Sequence, residues 1–198
     1  KKEGVRITKN RVGSILELAR IRISVSNEIW DSDSDIIVCK NGALHIPTLE
    51  LRPHKPDYHA TYRVGYDYDP HATAEVWKYV LYSTIPDAQD FLQDYVGYCL
   101  TTDTRFELAV WFCGPSGSGK STILEGIQAM LGEKATTLGL ADIEHSRFSL
   151  GNLPGKTLAV ASEQPSIYMR ATHILNNIIS GENISIEKKF NEGIDSTP

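Results

Sequence analysis

The feature that most constrains this chain is the run Gly114 Pro115 Ser116 Gly117 Ser118 Gly119 Lys120 Ser121, which fits the pattern G-x-x-x-x-G-K-[ST]. It follows a continuous apolar stretch, Leu108 Ala109 Val110 Trp111 Phe112 Cys113, which predicts a strand buried on both faces. After it, Ile123, Leu124, Ile127, Met130 and Leu131 recur at helical spacing, and Gly132 stands as a C-terminal cap. Glycines between a strand and a helix let the backbone curl closely, so that successive N–H groups and the positive end of the helix dipole converge on an anion. On this reading Gly114 through Gly119 cradle phosphates, Lys120 reaches the β and γ phosphates, the Ser121 hydroxyl ligates Mg²⁺ and Thr122 donates to the α phosphate of ATP. The plainer alternative is a glycine-rich turn with an ordinary capping serine.

Such a loop needs a second acidic site to hold the water shell of the metal and polarise the attacking water. Glu163 is the candidate, because it ends a second apolar run, Thr157 to Ser162, and carboxylates at the C-terminal ends of buried strands face the ligand crevice of α/β proteins. A capping glutamate in an exposed loop is the alternative. A helical pattern then carries Ile174, Leu175, Ile178 and Ile179 as far as Gly181, and Ile184 to Phe190 alternates. Strand and helix alternate through this half, which predicts an α/β core with a parallel sheet and flanking helices.

The preceding part reads differently. Residues 1–34 carry a weakly amphipathic stretch around Ile15, Leu16, Leu18, Ala19 and Arg22, and Asp31 to Asp35 reads as an acidic linker. Asn41 Gly42, between Ile36 to Lys40 and Ala43 to Ile46, predicts a hairpin, because both residues tolerate the positive φ of a tight turn. From Arg52 to Pro70 the chain is rich in Pro, His and Tyr and predicts extended segments and turns. Its tyrosines, Tyr58, Tyr62, Tyr66 and Tyr68, suit packing in a small sheet better than stacking on bases. Two helices are expected at about residues 73–83 and 87–101, with Val76, Trp77, Val80 and Leu81 on one packing face and Phe91, Leu92, Tyr95, Val96, Cys99 and Leu100 on the other, and Pro86 between them.

With 198 residues, 41% hydrophobic and 23% charged, the chain can bury a core in one or two domains. No apolar run reaches the ~20 residues of a membrane span, and Lys1 to Arg6 lacks the apolar stretch of a secretory signal, so a cytoplasmic protein is expected, without a membrane partner. Cys39, Cys99 and Cys113, an odd number without metal-ligand spacing, read as reduced core residues, and His54 and His59 lack the spacing of a zinc site. A net charge of −5 argues against coating a nucleic acid over the whole surface while leaving room for a locally basic loop.

From about residue 35 onward the sequence resembles the phage, plasmid and poxvirus type of primase-helicase, a branch of the superfamily 3 helicases within the hexameric ATPases. The resemblance rests on Lys40 Asn41 Gly42 Ala43 Leu44, Tyr66 Asp67 Tyr68 Asp69 Pro70 and Phe91 to Gly97, in this order ahead of the glycine-rich loop. It rests further on Arg147 Phe148 with Leu150, Leu153, Gly155 and Lys156 leading into the second strand. It implies an N-terminal segment 1–34, an accessory α+β and helical domain over 35–104 and a P-loop ATPase core of AAA+ type over 105–198. Glu163 would occupy the acidic position alone, since Ser162 stands where many members carry a second carboxylate.

Gly181 to Phe190 resembles the hairpin that projects into the central channel of the hexamer, with Phe190 where members often carry histidine. That assigns Lys188, Lys189 and Phe190 to single-stranded or forked DNA, and adjacent cations on a hairpin tip suit sequence-independent contact with phosphates. A solvated lysine pair is the bland alternative. The resemblance also implies a ring, commonly a hexamer, a priming domain or replication proteins as partners, and a sensor strand and arginine finger beyond Pro198, so that this chain alone is expected to be incomplete for turnover. The function expected is an ATP-dependent, ring-forming replicative DNA helicase of a phage, plasmid or related mobile element. A P-loop phosphotransferase and a non-catalytic nucleotide-binding assembly module are the competing classes.

Overall fold

The computed structural model describes residues 7–145, 149–161, 172–182, 184–186 and 194–196. After helix α1 (Lys9–Ile23), strands β1 (Ile36–Cys39), β2 (Gly42–His45) and β3 (Glu50–Arg52) form an antiparallel sheet in the order β1-β2-β3. Helices α2 (Glu75–Thr84) and α3 (Gln89–Tyr98) follow, then α4 (Lys120–Leu131), β4 (Ala135–Thr137), α5 (Leu140–His145), β5 (Leu158–Val160), α6 (Thr172–Ser180), β6 (Ile184–Ile186) and β7 (Ile194–Ser196). β4 and β5 pair in parallel, with Ala135 opposite Leu158, and β6 and β7 pair antiparallel. The architecture is mixed α/β with a small parallel sheet and helices.

The expected hairpin forms, but its turn falls one residue early. Cys39 pairs with Gly42, which makes Lys40 and Asn41 the connecting residues, and neither has positive φ. Gly42 is instead needed because β3 lies against it: a Cβ there would stand 2.6 Å from the Arg52 carbonyl oxygen. The Asn41 side chain clamps the backbone of Tyr68, its Nδ2 donating to the Tyr68 carbonyl at 2.9 Å and its Oδ1 accepting the Tyr68 N–H at 2.9 Å. Lys40 N–H donates to Tyr66 O and Val64 N–H to Val38 O, so the segment after β3 is sewn onto the sheet. Tyr58 and Tyr68 pack on the two faces of this sheet, which is the packing role expected of them.

The largest core cluster joins α2, α3 and α4 through Leu81, Leu92, Val96, Cys99, Ile123, Ile127 and Leu131. Gly126 leaves room for the Trp77 ring, which would lie 2.8 Å from a Cβ at that position. Val76 and Phe91, expected on packing faces, are exposed, because Trp77 and Leu81 on α2 and Leu92 and Val96 on α3 already meet α4. A second cluster, Leu138, Ile143, Leu150, Leu153 and Ile184, packs with Ile174, Leu175 and Ile178 of α6. α1 carries no buried residue.

The apolar run Leu108–Cys113 does not form the expected strand. A strand needs a neighbour for its backbone groups, and none of the described strands pairs with this segment. Leu108 and Trp111 are exposed, Phe112 is half-buried against the α2–α3–α4 core, and Cys113 is exposed where a core position was expected. Cys39 and Cys99 are buried, and burial pushes the Cys99 thiol up to about 11.

Candidate functional site

The glycine-rich loop closes on itself before α4 begins. Gly117 and Gly119 adopt φ of +78° and +85°, values that favour glycine, and Gly119 is the residue immediately before the helix. A Cβ at Gly119 would also stand 2.9 Å from the Thr84 hydroxyl at the end of α2, so the helical layer backs the loop directly. Lys120 folds over the loop. Its ammonium donates to the Gly114 carbonyl at 2.9 Å, the Pro115 carbonyl at 2.7 Å and the Ser118 hydroxyl at 3.1 Å, which engages all three protons.

The start of α4 has the character of an anion cradle. Gly119 offers no side chain to cap the helix, and the first turn contains no acidic residue, so the leading N–H groups have no side-chain acceptor among the described residues. α1 is the contrast within the same chain, where the Thr8 hydroxyl accepts the Arg11 N–H at 3.3 Å. Ser121 and Thr122 are exposed on the first turn of α4. This donor set of free backbone N–H groups, an ammonium and two hydroxyls fits phosphate oxygens, and the Ser121 hydroxyl fits the hard oxygen ligation that Mg²⁺ prefers.

The loop opens onto a cavity of about 1410 Å³. Ser116 to Thr122, Leu108 to Phe112 and β5 line it, together with Asp31, Thr61, Lys134 and Lys156. Thr157 Oγ1, at the entrance to β5, is buried without a hydrogen-bond partner. The structure thus places Ser116 to Thr122 and β5 on the same cavity, with Gly114 and Pro115 tied to the loop through the Lys120 ammonium. Glu163, Lys188, Lys189 and Phe190 lie outside the described residues, as do Arg147 and Phe148. The alternating run expected over Ile184 to Phe190 is represented by β6, which pairs with β7.

Sequence reasoning missed Lys134, the one charged residue buried among those described. Its ammonium lies 3.5 Å from the centre of the Tyr62 ring and 3.7 Å from Asp31 Oδ2. Burial pulls this ammonium below its ordinary value, and Asp31 opposes the shift. The Tyr62 hydroxyl donates to the Leu100 carbonyl at 3.3 Å, and burial, reinforced by Asp31, pushes it up to about 12. The only available signal was Lys134 two residues past the Gly132 cap, which by itself reads as an exposed cation at a helix C-terminus.

Two family models match the chain. Residues 1–86 match the family described as D5 N terminal like, and residues 112–198 match a family of unknown function (DUF5906). No curated protein matches the chain. Among the described residues, no helix is long and apolar enough to cross a membrane. The first match begins at residue 1, so it takes in the segment 1–34 to which the sequence assigned no role. It supports the accessory domain expected ahead of the glycine-rich loop and a replication-related context of the phage and plasmid primase-helicase kind.

Proposed function

We propose that Gly114 to Thr122 bind the phosphates of ATP with Mg²⁺, and that this chain is part of the ATPase motor of a ring-forming replicative DNA helicase of the primase-helicase type. The observation that carries the reading is the uncapped start of α4: a loop with two glycines of positive φ opens a twelve-residue helix whose leading N–H groups have no side-chain acceptor among the described residues, with Lys120 folded over it. An incoming phosphate would take over the Lys120 ammonium from the Gly114 and Pro115 carbonyls and receive the first-turn N–H groups. Both interactions are charge-assisted and strong for their length. Ser121 would hold the metal, which supplies charge neutralisation across the phosphates, and Glu163 would orient water. Lys188, Lys189 and Phe190 would contact single-stranded DNA.

The D5 match supports the replication context of this reading. It is tested by ATP hydrolysis measured with and without single-stranded DNA, with particle mass recorded in each condition. DNA-stimulated turnover in a ring-sized particle is the expected result for the assembled motor. Phosphate transfer to a metabolite, with no response to DNA, would replace it with the phosphotransferase reading.

A further inference from the structure

The turn after α4 is a junction. Lys134 lies there with its side chain 5% exposed, facing the Asp31 carboxylate and the Tyr62 ring. The Lys134 carbonyl accepts the Thr157 N–H at 2.9 Å, and the Glu133 carbonyl accepts the Lys156 ammonium at 2.5 Å, so the same turn holds the entrance to β5. Asp31 is fixed from three other directions. Its carboxylate accepts the Thr61 N–H at 2.7 Å and the Thr61 hydroxyl, its carbonyl accepts the Thr102 hydroxyl at 3.0 Å, and its N–H donates to the His59 carbonyl at 3.1 Å. These bonds hold Asp31 at φ +52°, a left-handed conformation that a non-glycine residue adopts only under constraint.

The opposite end of α4 is the glycine-rich loop. A twelve-residue helix is a rod of about 18 Å, so a displacement at its first turn is transmitted to its last. The 3.7 Å between Lys134 Nζ and Asp31 Oδ2 lies beyond hydrogen-bond reach, and a shift of less than about 1 Å toward Asp31 would close it. Resting on the phosphate-binding reading above, we infer that Lys134 is a positioning residue that couples occupancy of the glycine-rich loop to the Asp31 and His59–Tyr62 segment. The Lys120 ammonium lies on the Gly114 and Pro115 carbonyls. When phosphate takes that ammonium, α4 moves, the Lys134–Asp31 contact tightens, and the segment in front of the motor receives the signal. The coupling is reciprocal, so locking Asp31 onto Lys134 also tightens nucleotide binding by the same factor.

The test is amide hydrogen exchange at Asp31 and Thr61 in the whole chain, with and without the magnesium complex of a non-hydrolysable ATP analogue, alongside calorimetric measurement of binding. The wild type should bind the analogue and show at least threefold slower exchange at both amides when it is bound. Lys134→Met, which keeps the length of the stem, should still bind the analogue, weakened by no more than the factor by which exchange slows in the wild type, and should lose that slowing, and Lys134→Arg should recover part of both. If Lys134→Met does not fold, Asp31→Asn gives the same reading at Thr61. An unchanged slowing in Lys134→Met or Asp31→Asn overturns the coupling, as does a wild type that binds the analogue without any change at these amides. A wild type that gives no binding heat overturns the phosphate reading itself, and the coupling falls with it.

Discussion

The small sheet of β1 to β3 and the glycine-rich loop treat their backbone polar groups in opposite ways. In the sheet, each connection closes on itself: Asn41 satisfies both backbone groups of Tyr68, and Val64 and Lys40 tie the following segment back. In the loop and the run before it, no described strand pairs with residues 108–113, the helix start has no side-chain cap among the described residues, and the Lys120 ammonium donates to two loop carbonyls. A region that satisfies its polar groups internally is a scaffold. One that leaves a helix start uncapped beside a cavity offers donors that an anion can take, as proposed for this loop.

This contrast can be broken by substitution, taken from the largest effect to the smallest. Lys120→Ala removes a charged donor from the open site and should weaken MgATP binding by about 30- to 150-fold, corresponding to about 2–3 kcal/mol, while unfolding in urea changes by less than about 0.5 kcal/mol. Gly42→Ala should do the reverse. Its Cβ would meet the Arg52 carbonyl oxygen at 2.6 Å, so the sheet should lose about 1–3 kcal/mol by urea denaturation, with nucleotide affinity unchanged. Asn41→Ala exposes the two backbone groups of Tyr68 to water and should cost about 1 kcal/mol in the same assay.

Tyr62→Phe is the mildest at neutral pH, at about 0.5 kcal/mol for the bond to Leu100. It sharpens the contrast at high pH. The folded-state pKa of Tyr62 is raised from about 10 to about 12, so above pH 10 the unfolded chain loses this proton first. The stability it contributes is present below pH 10 and is lost as pH rises toward 12. The unfolding free energy from urea titrations between pH 9 and 11 should therefore fall less steeply in Tyr62→Phe than in the wild type, by at most about 1.4 kcal/mol per pH unit.

The sequence made the local periodicities readable. The faces of α3 and α4, the Gly132 cap and the hairpin came from spacing that the core then used, since Leu92, Val96, Ile123, Ile127 and Leu131 all meet in one cluster. The pieces Lys40 to Leu44 and Tyr66 to Pro70, weak one by one, are joined by Asn41 and Lys40 in space. What failed depended on partners that spacing does not encode. Leu108 to Cys113 reads as a buried strand only if neighbouring strands flank it, and among the described residues none pairs with it. Lys134 was invisible because its value as a buried charge depends on Asp31 and Tyr62, far away in the chain. Of the candidate site, the glycine-rich loop and the helix it opens were legible because their residues are contiguous, while Glu163 and the Lys188 to Phe190 segment fall outside the described residues.

The most direct test of the central claim is hydrogen exchange at the amides of Lys120, Ser121 and Thr122, which open α4 without a side-chain cap. If the loop binds nucleotide phosphates, MgATP at about ten times the wild-type Kd should slow exchange at these amides about tenfold in the wild type and by less than about 1.5-fold in Lys120→Ala. Equal exchange with and without MgATP in the wild type would show that the open start of the helix is an exposed turn, and the nucleotide-binding account would be wrong.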